Sequence, residues 1–435
     1  MAAKCAASVA LLCALAAFSA GAADARPGYH AARVCNSTPA PGSAACLAFK
    51  LVPDSLTPAG RRAATARQRA AVRQARRERR AHPMVEQKTP LSGGLTPALL
   101  HEAYGLPAET ADGATQTIAL VDAFDDPTAE ADLAVYSQQW GLPECTTANG
   151  CFKKINQEGK ASPLPEENGE WAGEISIDVQ MAHAICQNCK IILVEASSEE
   201  FSDLGASVNT AIAAGATIVS NSYGGFERSA YSALAGDYVH PGAVITVSSG
   251  DCGYFNKTCR GNGHAANFPA DSPDVVAVGG TALTKSGGVW KSTVWNEGGS
   301  GCSSLFSAPL WQTIVTNWPN TGCGNGRSVA DVAAIGDPNT GVDTYNSTPE
   351  NNGNPTGWGI WGGTSVASPI IAAEYGLAGG APGEGAPAQP LYQALMGQGD
   401  WGRPIAERTY ARARATYHPV TVGPIDRLMR GQTAG

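Results

Sequence analysis

An α/β fold, a mostly parallel β-sheet flanked by helices on both faces, is predicted by two observations. Short apolar runs rich in β-branched residues recur along the chain, and stretches of helical composition separate them. Strands buried on both faces need that continuous apolar character, and the interleaved helices supply the crossovers between parallel neighbours. Thr96 is placed to cap a short helix in the lead-in from Leu91. Thr117–Val121 (TIALV) reads as the first strand and Ala129–Trp140 as a helix. Gly169–Cys186 reads as a helix, Lys190–Ala196 (KIILVEA) as a strand and Phe201–Ala214 as a helix. Thr217–Ser222, Ala243–Ser248 and Val275–Val278 read as strands, and Ser365–Leu377 as a helix of small residues. The Gly-, Asn- and Pro-rich stretch 336–360 reads as a long surface loop.

Composition narrows the class further. With 43% hydrophobic residues, 16% charged residues and 51 glycines in 435 residues, the chain is a loop-rich globular protein rather than a coiled coil or a disordered chain. Residues 1–25 carry one Lys, a short apolar run and an Ala-Asp-Ala cleavage site, the pattern of a signal peptide. Export, to the extracellular space or a periplasm, is therefore expected. The cysteines agree with this, because four near pairs stand out: Cys145/Cys151, Cys186/Cys189, Cys252/Cys259 and Cys302/Cys323. Cys35 and Cys46 offer a fifth. In an exported chain such spacings favour disulfides, with a zinc site at Cys186/Cys189 as the alternative.

Charge is uneven. Residues 61–82 hold nine Arg and one Glu, whereas the whole chain carries −8. A cationic segment just after a signal peptide suits a pro-segment docked on an acidic body better than a nucleic-acid tail. Acid would weaken that contact as carboxylates protonate. The expected organisation is a signal peptide at 1–25, a short basic pro-segment at 26–88, a catalytic body at 89–380 and an Arg/Ala/Pro-rich tail at 381–435.

The chemistry-bearing motif is Gly362-Gly363-Thr364-Ser365-Val366-Ala367-Ser368-Pro369 at the start of an apolar helix. A serine there lies among unpaired backbone N–H groups that can hold an oxyanion, and the glycines admit a substrate backbone. The string resembles the Gly-Thr-Ser-x-x-x-Pro serine motif shared by subtilisin-like and sedolisin peptidases. Subtilisins add a His followed by Gly-Thr, and none of the seven His is so followed. Asp122, after the first strand, is read as a capping or turn residue. His183 is read as a partner for a core carbonyl or a helix end.

Gly173-Glu174-Ile175-Ser176-Ile177-Asp178 instead resembles the sedolisin pattern, with Glu and Asp four residues apart on one helix face. Two carboxyls held together oppose each other's ionisation, so a proton tends to be shared. The resemblance implies a subtilisin-like fold and a secreted serine-carboxyl endopeptidase working in acid. Ser365 would be the nucleophile, Glu174 its base and Asp178 the group orienting that base. Asp251, in Ser248-Ser249-Gly250-Asp251, resembles the sedolisin oxyanion aspartate and must be protonated to donate. Ser222, Tyr223 and Gly224 resemble the strand that binds a peptide substrate by β-addition.

The resemblance also implies one calcium ion, but the family's ligand segment is not recognisable after the serine helix, and Asp400 and Asp426 stand in unsuitable contexts. No protein metal ligands are assigned. Partners are expected to be protein or peptide substrates and the chain's own pro-segment, without nucleic acid or membrane, for a monomer. Two other functions are weighed, a His-dependent subtilisin-like peptidase and an inactive secreted binding module. Activity confined to acid separates the first from the sedolisin reading, and failure to digest denatured protein at any pH marks the second.

Overall fold

The structure is a computed structural model that describes residues 26–35, 39–54, 86–257, 259, 266–315, 318–350, 354–381, 383 and 385–396. The signal-peptide reading, the arginine block 61–82 and the tail beyond Met396 lie outside these residues.

The central sheet is built from β5 (Thr117–Ala123), β6 (Phe152–Asn156), β7 (Lys190–Ala196), β8 (Ile218–Asn221), β10 (Val244–Ser248), β12 (Val276–Ser286), β13 (Val289–Val294) and β16 (Val332–Ile335). Its order is β13-β12-β10-β8-β5-β7-β6, with β16 also paired to β12. Every pairing is parallel except the β12–β13 hairpin. The α/β class expected from the sequence, a mostly parallel sheet flanked by helices, is therefore the one observed.

The longer helices are α1 (Pro97–Tyr104), α2 (Ala129–Trp140), α3 (Gly169–Ile185), α4 (Phe201–Ala213), α5 (Thr364–Leu377) and α6 (Gln389–Met396). Thr96 does cap α1, its side chain accepting from Leu99 N. Helices α3 and α5 pack against each other and over β5, while α4 covers β5 and β7. α3 is buried along its whole length apart from Glu170, and α5 throughout, which is the burial expected of helices sandwiched in a large core.

One assignment is corrected. The stretch 336–360 is not a surface loop. It contains β17 (Val342–Asn346) and the start of β18 (Thr356–Gly362), whose residues are all buried. Its glycines suggested a loop, but Tyr345, Trp358 and Ile360 supply one buried face, Val342 and Trp361 the other, and Gly357 takes a φ of 84° that the strand entry requires. The strand read at Thr217–Ser222 is observed as β8, Ile218–Asn221. Ser222 breaks it, and β9 (Tyr223–Phe226) turns away to pair elsewhere.

A second, mostly antiparallel sheet runs β1-β3-β18-β17, with β1 (Tyr29–Arg33) and β3 (Phe49–Pro53) drawn from the N-terminal segment. Residues 29–53 are thus woven into the body. Five disulfides join Cys35–Cys46, Cys145–Cys151, Cys186–Cys189, Cys252–Cys259 and Cys302–Cys323, the near pairs singled out in the sequence. The zinc alternative at Cys186/Cys189 is displaced by a disulfide there.

Arg327, fully buried, donates to both carboxylate oxygens of Asp331 (2.9 and 2.6 Å), and Gln312 and Tyr392 complete the network. Removing one partner leaves the other charge buried and unpaired, which costs about 3–5 kcal/mol. Arg327→Met is expected to lower unfolding stability by about that amount in urea titrations, and Arg327→Met/Asp331→Leu to lose less.

Candidate active site

The groups of interest collect where the central strands end. Asp122 lies near the C-terminal end of β5, Ser222 follows β8 and Asp251 follows β10. In parallel sheets ligands bind outside these carboxyl ends. The two buried helices complete the site, α3 contributing Glu174 and Asp178 and α5 contributing Ser365 near its first turn.

Helix α3 starts where the Asn168 side chain accepts from Glu170 N and Trp171 N, satisfying orphan donors. Its four-residue spacing then puts Glu174 and Asp178 on the face turned to α5. Both are fully buried, as are Ser365, Asp251 and Ser222. Gly363 begins α5 with a φ of 102°, and a Cβ there would lie 2.9 Å from Asp251 Oδ2, so only glycine fits. Farther along α5, Pro369 has no N–H for the carbonyl of Ser365 four residues back. Ser222 Oγ stands 3.3 Å from that carbonyl oxygen instead, and donates to Asp178 Oδ1 at 2.7 Å.

Ser365 Oγ donates to the Ser222 carbonyl oxygen at 3.2 Å. Neither Glu174 carboxyl oxygen has a well-formed hydrogen bond, and Asp178 Oδ2 has none. Desolvation raises the Glu174 pKa well above its ordinary value, and the charges of Asp122 and Asp251 add to the rise. The nearby Ser365 hydroxyl opposes part of it. Asp178 is raised well above its ordinary value by desolvation, then by Asp122 and Glu174, with the Ser222 hydrogen bond opposing. Asp251 Oδ1 accepts from Thr364 N (2.8 Å) and Thr364 Oγ1 (2.9 Å), leaving Oδ2 without a partner. Burial pushes the Asp251 carboxyl up to about 7, although the Arg33 guanidinium and the Thr364 hydrogen bonds pull it down. A protonated Asp251 has its second oxygen available as a donor.

Asp122 is where reading the sequence went wrong. It is neither a cap nor a turn residue. It lies inside β5, fully buried, with neither oxygen hydrogen-bonded, and its carboxyl is pushed up to about 8 by desolvation and by Asp126. Strand alternation puts Ile118, Leu120 and Asp122 on one face, and Ile118 Cδ1 would be 3.4 Å from a Cβ at Gly376 of α5. Asp122 therefore points to the helices bearing Glu174 and Asp178, whose charges it opposes. The available signal was an acidic residue in register with two apolar strand positions.

The strand residues contribute mainly backbone. Tyr223 buries its ring, with Oη donating to Asn221 Oδ1 at 2.8 Å, and Gly224 is free of any side chain. His183 binds the Pro143 carbonyl oxygen through Nε2 at 2.8 Å, the core role read from the sequence. Among the described residues, no histidine hydrogen-bonds Ser365 or Glu174.

Among the described residues, no cage of side-chain oxygens for calcium is found. Among the described residues, the only close group of three metal-ligating side chains is Cys145, Cys151 and His183, and its two cysteines are disulfide-bonded. That is not an oxygen cage. Asp400 and Asp426 lie outside the described residues.

Residues 166–396 match the subtilase family, and the chain belongs to that family. Within it, the relatives it matches are serine-carboxyl peptidases of the sedolisin type. It is 33% identical to kumamolisin from Bacillus sp. (strain MN-32), over 64% of this chain and 51% of that protein. It is 28% identical to sedolisin from Pseudomonas sp. (strain 101), over 58% of this chain and 47% of that protein. Xanthomonalisin from Xanthomonas sp. (strain T-22) is also 28% identical, over 70% of this chain and 40% of that protein. The chain spans about half the length, or less, of these relatives. Its fold is similar to the solved structure of Pseudomonas sedolisin (a serine-carboxyl proteinase complexed with two molecules of pseudo-iodotyrostatin). The TM-score is 0.57 at 23% identity, covering 71% of this chain and 87% of that one.

Carboxyls whose folded pKa exceeds the unfolded value bind protons more tightly in the folded state. Their contribution to stability is complete below the unfolded value near 4 and is lost as pH rises through about 7 for Asp251 and about 8 for Asp122. The urea midpoint is expected to fall between about pH 5 and pH 8. Asp122→Asn should flatten that fall, and a midpoint that rises over the same range would contradict the burial argument.

Proposed function

We propose that the chain is a secreted serine-type endopeptidase that hydrolyses peptide bonds in acid through an acyl-enzyme on Ser365. The observation that carries this reading is the meeting of two carboxyls on α3 with the serine hydroxyl on α5, together with the protonatable Asp251. Membership of the subtilase family and the sedolisin-type relatives support the same chemistry.

In this mechanism Ser365 Oγ attacks the scissile carbonyl carbon as Glu174 takes its proton, and Asp178, held by Ser222, orients Glu174. The oxyanion receives hydrogen bonds from Ser365 N–H and protonated Asp251. Glu174 returns the proton to the leaving amine, and water then hydrolyses the ester by the reverse sequence. The mechanism requires Glu174 to have given up its proton while Asp251 keeps its own, with the remaining protons shared between Asp122 and Asp178. Export is supported by the N-terminal pattern and the disulfides, and no helix of the described residues is long and apolar enough to cross a membrane. Protein or peptide substrates and the chain's own N-terminal segment are the partners proposed, for a monomer.

Digestion of an acid-denatured protein by the wild type, compared across pH, tests this. The rate should fall as pH rises through about 7, where Asp251 ionises. Ser365→Ala and Glu174→Gln should each reduce kcat on the order of 10³-fold or more, and Asp251→Ala about 10²–10³-fold. Undiminished digestion by Ser365→Ala, or activity confined to neutral pH, would defeat the reading.

A further inference from the structure

The cleft beside Ser365 is filled by the chain itself. Residues 43–50 follow the path of an extended peptide. Ser43 bridges Glu200, and Ala44 N donates to Glu199 O at 2.8 Å. β2 (Ala45–Cys46) is antiparallel to β9, Ala45 opposite Gly224 and Cys46 opposite Tyr223. Leu47 N donates to Ser222 O at 3.2 Å, and Leu47 O accepts from Ser365 N at 3.1 Å. Beyond that carbonyl the chain enters β3, where Phe49 and Lys50 pair with Gly362 and Trp361.

The Leu47 carbonyl thus lies on the one backbone N–H at the nucleophile. A Cβ on Gly363 would come within 2.1 Å of Leu47 O and 2.9 Å of Asp251 Oδ2, so both oxygens flank the same point. The Leu47 side chain is buried, its Cδ1 3.4 Å from a Cβ built on Gly224, which makes Gly224 one wall of its pocket. The loop is braced on both sides. The Cys35–Cys46 disulfide closes it, β1 pairs with β3 from Tyr29–Pro53 to Arg33–Phe49, and Val34 N donates to Ala48 O at 3.0 Å. Lys50 forms a buried ion pair with Glu350 at 2.6 Å, and Arg33 donates to the Asp251 carbonyl oxygen.

We infer that residues 43–50 are a built-in, substrate-like inhibitor of this cleft, with Leu47–Ala48 presented as the reactive bond and Leu47 in the pocket that selects the residue on its amino side. This rests on the function proposed above. Addition of Ser365 Oγ to the Leu47 carbonyl carbon, with the hydroxyl proton passing to Glu174, gives the tetrahedral intermediate. Its collapse breaks the bond to Ala48 N, returns the proton to that amine and leaves a Leu47 ester on Ser365. Ala48 remains in β3, held to β1 and β18, so its amine stays beside the ester and can re-form the peptide bond. The segment therefore blocks the cleft instead of leaving as product. A free substrate must compete with a tethered one whose effective concentration is of millimolar order, and the pocket favours a mid-sized apolar residue at the amino side of the cut.

Peptide binding tests this without requiring turnover. The probe is a fluorescein-labelled octapeptide copying residues 43–50 with Ser in place of Cys, measured by anisotropy on the full chain carrying Ser365→Ala. Adding Leu47→Asp is expected to tighten binding by about tenfold or more, since the tethered competitor is lost. Cys35→Ser/Cys46→Ser, which loosens the loop while keeping Leu47, should tighten it in the same direction and serves if Leu47→Asp does not fold. A probe with Asp at the Leu position should bind the opened variant about tenfold more weakly. Equal affinity with and without the loop substitutions overturns the inference, even if the wild type digests protein. Tighter binding in the opened variants supports it, even if no variant shows turnover, in which case only the proposed catalytic function fails.

Discussion

Desolvation of carboxyl groups is the constraint on which this structure turns. Asp122, Glu174, Asp178 and Asp251 are all fully buried at the ends of the central strands and helices. Arg33 and not a body residue is the cation that lowers Asp251, and the pKa shifts of the other three carry no cationic contribution. Burying several ionised carboxylates together would cost far more than their few hydrogen bonds return. The folded chain therefore holds protons on them. A site of this kind keeps a serine next to a base only if the base system can share protons, a task carboxyls perform in acid and imidazole performs near neutrality.

The parts of the site encoded by local rules were legible. The spacing of Glu174 and Asp178 needs only a helix, and the helix was visible from its composition and length. Ser365 and Asp251 each sit at the end of a regular element, where strings such as Gly-Thr-Ser and Ser-Gly-Asp carry their own geometry. Asp122 was missed because its role depends on which face of β5 meets α3 and α5, a tertiary fact. In β17 and β18 the glycines and asparagines outweighed the buried apolar residues on the two faces, Tyr345, Trp358 and Ile360 on one and Val342 and Trp361 on the other. There tertiary packing overrode composition. The N-terminal hairpin was hidden for a related reason. The partners of β2 and β3, β9 and β18, lie roughly 180–310 residues farther along the chain, beyond any local pattern.

The same hairpin explains why the serine is wholly inaccessible although the proposed chemistry needs substrate to reach it. Ser365 is buried under a segment that supplies backbone partners on both sides of the nucleophile, to Tyr223 and Gly224 on one and to Trp361 and Gly362 on the other. An extended peptide needs both rows of partners to align a carbonyl with Ser365 N–H, because side-chain contacts alone would leave its register free. Residues 43–50 satisfy both rows, and in doing so they display the register that any competing peptide must adopt.

Electrostatics links that occupant to the acid chemistry. Arg33 belongs to the strand that braces the loop, and its guanidinium opposes the burial that raises Asp251. With Arg33 in place Asp251 is easier to ionise than burial alone would make it, and an ionised Asp251 repels an oxyanion on the Leu47 carbonyl. Departure of the hairpin removes the positive charge along with the occupant. The segment that fills the cleft thus also carries the charge that pulls against the proton on the acid that would help cut it, which suits an inhibitor better than a substrate.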